Sequence, residues 1–269
     1  MYGCIFPICV KGSPPWNPRL RSYQSGTSDI TKTKAYREYE QVKNNSISYE
    51  DEDLFKKFTK RISGKNDVIG EFEKGLQDVK NDDVRTLLEQ AKSRVVFEEW
   101  NSQKSRYDFR THKIKYSKDA DRSTIAHELF HEVFDTYRMY EDDFITNSLQ
   151  IDFDKIITNA QKQNKSIAGY LFSKYPDAFY INSEFQLRMH KNYRGISDII
   201  HGLTKGKVFL GYGHSKKEYW LQHKILENET FAQYGRIMYN QDEKVMDMFK
   251  EVFTETNREI AERLEGMIK

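Results

Sequence analysis

A chain of 269 residues is long enough to bury a sizeable core, and its 38% hydrophobic and 31% charged residues describe a polar globular protein rather than a disordered or fibrous one. The 43 basic and 41 acidic side chains nearly cancel to a formal +2, so the composition carries no footprint of a nucleic-acid or membrane-surface partner. Only Cys4 and Cys9 are present, which excludes a disulfide framework, reads as free thiols rather than a metal knuckle, and makes a reducing cytoplasm the expected location.

The longest apolar run, Ile5 to Val10, is broken by Pro7 and lacks a preceding basic residue, so neither a secretory signal nor a membrane span is expected. Prolines at 7, 14, 15 and 18 punctuate the start, and only Pro176 follows. Residues 1–31 therefore read as a poorly ordered lead-in. Residues 32–94 read as a helical accessory region, from patterns such as Leu54, Phe55, Phe58, Ile62 and Val84, Leu87, Leu88, Ala91. Residues 95–269 read as the main domain. Arg94–Trp100 and Tyr107–Tyr116 cluster β-branched and aromatic residues as two strands do. A helix follows from Ser123 to about Arg138, then a mixed region with a short strand candidate at Lys207–Leu210. Helices from about Lys224 close the chain on an apolar stripe of Val245, Phe249, Val252, Phe253, Ile260 and Leu264. The expected class is α+β, helix-dominated, with a small sheet.

The informative helix carries His127-Glu-Leu-Phe-His131, an HExxH pattern. Residues four apart on a helix point the same way, so two imidazoles can share one tetrahedral ion, and nitrogen ligands favour Zn2+ over hard cations. At about 100° per residue, His127, Glu128, His131 and Asp135 share one polar sector, while Ile125, Ala126, Leu129, Phe130, Val133 and Tyr137 face the opposite side. Such a pattern can arise by chance on an amphipathic helix. Here a strand-like segment and capping candidates at Asp121 to Thr124 precede it, as a metal-binding helix of this kind requires.

Two histidines hold zinc weakly, and a catalytic site takes a third protein ligand with the fourth position left open. Glu229, in Asn228-Glu-Thr-Phe-Ala-Gln233, and Glu184, in Asn182-Ser-Glu-Phe185, are the rivals. The Asn-Glu-x-x-small pattern at 228 resembles the third-ligand helix of the gluzincin metallopeptidases. His127-Glu-Leu-Phe-His-Glu-Val-Phe-Asp135 is similar to their HELxHxxxD run. This resemblance makes Glu229 the third ligand, Asp135 a residue that orients a histidine, and Glu128 the general base. Two departures stand out: Gln233 occupies a position where that family carries Asp, and 98 positions separate His131 from Glu229.

The long gap, together with Ile196-Ser-Asp-Ile-Ile-His-Gly-Leu203 and Gly211-Tyr-Gly-His214 followed by Tyr219-Trp220, resembles zincin-like metallopeptidase domains. These are the domains associated with phage head morphogenesis (minor head) proteins and toxin-like relatives. The likeness spans roughly 110–239. It implies a zinc metallopeptidase acting on a protein or peptide, with phage structural proteins as possible partners. Its alternatives are a head-assembly accessory protein with a structural zinc and a toxin-like effector protease. In the Gly-rich loop, His214 is the expected donor to a developing oxyanion, with Tyr212 as the alternative, against a plain turn. Arg188–Lys224 holds eight basic residues against Asp198 and Glu218. That run reads as a solvated basic face, with steering of an acidic substrate as the sharper alternative. His112, His190, His201 and His223 have no ligand-spaced partner and read as structural or surface residues.

Overall fold

The computed structural model describes residues 67–214 and 216–268. The expectations for residues 1–66, including the lead-in, the Leu54–Ile62 pattern and both cysteines, lie outside the described residues. The compact unit that contains the site runs from Lys65 to Lys269.

Nine α-helices dominate the described residues: α1 (Val68–Gln77), α2 (Asp82–Arg94), α3 (Arg122–Thr136), α4 (Phe144–Lys162), α5 (Ile167–Lys174), α6 (Arg194–Leu203), α7 (Ile225–Asn240), α8 (Glu243–Val252) and α9 (Thr254–Ile268). Five short strands accompany them: β1 (Val96–Trp100), β2 (Arg106–Asp108), β3 (Lys113–Ser117), β4 (Phe179–Ile181) and β5 (Leu187–Met189). The first three form a mixed sheet in the order β1, β3, β2, with β1 parallel and β2 antiparallel to β3. Strands β4 and β5 form a separate antiparallel hairpin. The protein is α+β and helix-dominated, with a small mixed sheet.

Helix α3 starts where Asp121 accepts a hydrogen bond from the Thr124 backbone N–H at 3.0 Å, occupying one of the amides a helix start leaves unpaired. Arg194, at the start of α6, holds the same carboxylate at 2.8 Å. The apolar side of α3, with Ile125, Ala126, Leu129, Phe130 and Val133, is wholly buried against α1, α2 and α7. The tightest approach is to α7. A Cβ built on Gly235 would lie 2.1 Å from Phe130 Cγ, so only glycine lets the two helices come this close. The buried Glu132 anchors α3 to the end of α2, taking Arg94 Nε at 2.6 Å and Arg94 Nη2 at 2.8 Å.

Three expectations change. Helices α1 and α2 pack on α3 within one compact unit, so the boundary expected at residue 94 does not separate an accessory region from the main domain. The segment Tyr107–Tyr116 is two strands rather than one: His112 takes φ of 48° and turns the chain between β2 and β3. Lys207–Leu210 forms no ladder. Its flanking glycines, Gly206 and Gly211, sit at φ of 77° and 108° and swing the segment away, leaving Leu210 O to accept one hydrogen bond from Met189 N at 2.7 Å. The C-terminal stripe from Val245 to Leu264 is buried as its periodicity requires. No helix among the described residues is long and apolar enough to cross a membrane.

Candidate metal centre

Helices α3 and α7 face each other with their polar residues inward. His127 and His131, one turn apart on α3, bring their Nε2 atoms to 3.1 Å of each other. Across the gap, Glu229 on α7 places Oε2 3.5 Å from His127 Nε2 and Oε1 3.9 Å from His131 Nε2. Ligand bonds of about 2.1 Å in a tetrahedron imply donor separations of about 3.4 Å, and the three residues are close enough together to hold one metal ion between them. Glu229 Oε2 is buried and has no hydrogen-bond partner among the described residues, a costly state that a cation would relieve.

The tuning of each group follows from its surroundings. Burial, reinforced by the buried Arg236, holds the His127 imidazole well below its usual value, so the ring is neutral with a lone pair free to ligate. Burial alone would raise Glu229, but His131, His214 and Tyr219 outweigh it and keep the carboxylate ionised. Glu128 is 5% exposed, and burial raises its pKa above the ordinary carboxylate range. The neighbouring His131 opposes the shift.

His131 Nδ1 meets Asn228 Oδ1 at 2.8 Å. A donor at Nδ1 leaves Nε2 as the acceptor nitrogen, the tautomer that metal ligation needs. This corrects the expectation for Asp135. That carboxylate lies at the far end of α3, accepts a hydrogen bond from Tyr107 OH at 3.3 Å, and holds neither histidine. Glu184 is likewise displaced. It sits exposed in the β4–β5 turn, where its backbone N–H bonds Asn182 Oδ1, and it joins no ligand grouping among the described residues.

A second layer closes over Glu229. His214 Nε2 is 3.4 Å from Glu229 Oε1, and Tyr219 OH donates to the same oxygen. The His214 and Tyr219 rings stack at 3.6 Å, and Trp220 meets both edge-on. The loop is pinned to α6 at two points. Ser197 Oγ donates to Tyr212 O at 2.8 Å and accepts from Tyr212 N at 3.2 Å, while Trp220 Nε1 donates to His201 Nδ1 at 3.3 Å. Tyr212 fixes the loop through its backbone, and His214 brings its ring beside Glu229.

Asp198 on α6 completes the group: Asp198, His214 and Glu229 each bring a ligating atom within 4.8 Å of the others. Burial and the neighbouring Glu229 push Asp198 up to about 7. Gln233 Nε2 donates to Asp198 Oδ2 at 2.7 Å, and Arg236 Nη1 donates to Gln233 Oε1 at 2.8 Å. Gln233, the departure from the gluzincin pattern, is thereby explained as a bridge to Asp198. Sequence reading missed Asp198, Tyr219 and the role of Asn228. For Asp198 a signal was present, an acid set among Ile196, Ile199 and Ile200 on one short helix.

Comparison with protein-family models, with curated proteins and with solved structures finds no match to this chain.

Proposed function

We propose that the protein is a zinc-dependent metallopeptidase of zincin-like fold, with His127, His131 and Glu229 as ligands and Glu128 as general base. The observation that carries the reading is the convergence of two imidazole Nε2 atoms and one orphaned carboxylate oxygen from facing helices, beside a buried glutamate. A zinc ion bound there supplies Lewis-acid chemistry, polarising a carbonyl and bringing the pKa of a water toward about 7.

The chain's own residues supply the rest. Glu128 accepts the proton of the attacking water at its carboxylate and delivers it to the leaving amine nitrogen. Its raised pKa suits this work, because a base poised closer to neutrality both takes and returns the proton. Asn228 holds His131 in the ligating tautomer, and Tyr219 fixes the Oε1 side of Glu229. His214, beside the ligand cluster and facing Asp198, is the hydrogen-bond donor for the negative charge that develops on the scissile carbonyl oxygen.

Elemental analysis of the purified protein together with a peptide-library digest tests the reading, with Glu128→Gln as control. We expect about one zinc per chain and cleavage that Glu128→Gln abolishes while metal and fold persist. Undiminished cleavage by that variant would remove Glu128 from the mechanism, and a protein without metal would end the assignment.

A further inference from the structure

The basic run between Arg188 and Lys224 divides in the structure. Lys191 and Arg194 pair with Asp121, and Lys224 pairs with Asp143 and Glu227. Arg188 donates to neutral acceptors, Leu187 O and Phe209 O at 3.1 Å and the Gln186 side chain. Lys205, Lys207, Lys216 and Lys217 have no carboxylate within salt-bridge reach among the described residues. Elsewhere several lysines are matched: Lys92 with Glu73, Lys113 with Glu98, Lys174 with Glu251.

The four unmatched lysines are all exposed and flank the Gly-rich loop that carries His214. Lys216 and Lys217 follow His214 by two and three positions, and both are exposed. The Lys217 stem packs over Gly206, where a built Cβ would lie 3.0 Å from Lys217 Cγ, which brings Lys217 next to the stretch that carries Lys205 and Lys207. On the β2 side, the exposed Lys104 is near enough for its charge to act on the His214 ring. Trp100 Nε1 fixes that loop by donating to Lys104 O at 2.9 Å. Among residues 201–224 the lone acid is Glu218.

Resting on the peptidase reading, we infer that the substrate is an acidic polypeptide segment, seated at the metal centre with its carboxylates on the rim formed by Lys104, Lys205, Lys207, Lys216 and Lys217. Unpaired cations on an otherwise nearly neutral chain raise the local concentration of an anionic partner and discriminate against basic ones. The floor of the site argues for a polypeptide over a nucleic acid. Glu128, Asp198 and Glu229 are all buried there, and a phosphate backbone laid across them would meet three carboxyl groups. A peptide bond is neutral, and its flanking side chains reach outward to the lysines.

The test is binding, measured apart from turnover. Fluorescence anisotropy on zinc-loaded Glu128→Gln protein would compare a labelled Glu-rich peptide, its Gln-for-Glu counterpart and a single-stranded oligonucleotide of equal length. The Glu-rich peptide should bind about tenfold or more tighter than the Gln-rich one, and the advantage should shrink as salt rises. Lys216→Glu with Lys217→Glu should erase the advantage, as should Lys205→Glu with Lys207→Glu, whereas Lys92→Glu should leave it intact. Equal affinity for the two peptides, indifference to both rim variants, or tighter binding of the oligonucleotide would overturn the inference. Acid-selective binding by a protein that cleaves nothing would uphold the acidic partner and overturn the peptidase reading instead.

Discussion

His131 and Asn228 are joined by a 2.8 Å contact between Nδ1 and Oδ1 that links α3 and α7 immediately beside Glu229. On the proposed zinc reading, the side chain that orients His131 thus comes from the helix of Glu229, one residue before it. Removing such a partner typically costs about 10-fold to 100-fold in metal affinity. Asn228→Ala should therefore weaken zinc in a chelator competition by that range, and Asn228→Asp, which keeps an acceptor oxygen, should retain most of it. Asp135→Ala should bind zinc like the parent. The opposite ranking of Asn228 and Asp135 would return the orienting role to α3.

The layer over Glu229 separates two roles that mutation can pull apart. Tyr219 OH donates to Glu229 Oε1, so Tyr219→Phe should reduce zinc affinity about tenfold or more and lower kcat little once metal is restored. His214→Ala should keep zinc and lose about 100-fold or more in kcat, the usual cost of removing an oxyanion donor. Asp198→Asn should resemble His214→Ala, with kcat reduced and KM nearly unchanged, because it acts through the His214 ring. Equal losses of metal in all three variants would make this layer purely structural.

Legibility in the sequence followed the length and regularity of each element. Helix α3 is long and capped by Asp121, and its two histidines are four apart, so its span and the shared direction of His127 and His131 were readable to within a residue or two. Glu229 was readable from Asn228 and Ala232 around it, whereas the strands were less so. Three residues of β2 carry too little alternation to define a strand, and the left-handed His112 that leads into β3 has no glycine to announce it. Asp198 and Tyr219 were hidden for a different reason. Asp198 comes to Glu229 from a different helix and Tyr219 from the short turn before α7, and no spacing rule within one helix encodes either approach.

The start of α3 should respond to acid. Burial pushes the Asp121 carboxyl upward, but Arg194, Ser123 and Arg236 outweigh it and hold it well below the usual carboxylate range. A depressed folded-state value means that the stabilisation is fully present above the unfolded pKa of about 3.9 and is lost as pH falls toward the folded value. At neutral pH, Asp121→Ala should lower stability by about 1 kcal/mol for the lost cap. The partly exposed Arg194 pair should add little to that figure. In urea titrations the gap between parent and variant should narrow once pH drops below about 4. A gap that stays constant through that range would show that the Asp121 charge contributes nothing.

Gly235 offers the sharpest link between packing and the site. It lies six residues after Glu229 on α7, and its missing side chain is what admits the ring of Phe130, the neighbour of His131 on α3. Phe130 is fully buried and packs against Phe231 at 5.1 Å between ring centroids, so it has no open space to retreat into. Gly235→Ala places a methyl 2.1 Å from Phe130 Cγ, and the helices must separate to relieve the clash. Overpacking of this kind costs about 1–3 kcal/mol, more than the gain of up to about 1 kcal/mol from replacing glycine by alanine within a helix. Because His127 and His131 ride on one helix and Glu229 on the other, the same separation should loosen the ligand set. Gly235→Ala should therefore lose stability and zinc affinity together. Gly266→Ala, on α9 with nothing within 4 Å of its built Cβ, should be slightly more stable than the parent and bind zinc unchanged. Phe130→Leu in the Gly235→Ala background frees part of the ring volume and should restore zinc binding more than it restores stability. A Gly235→Ala protein with parental stability and parental zinc affinity would show that the closeness of α3 and α7 is not what holds the three ligands together.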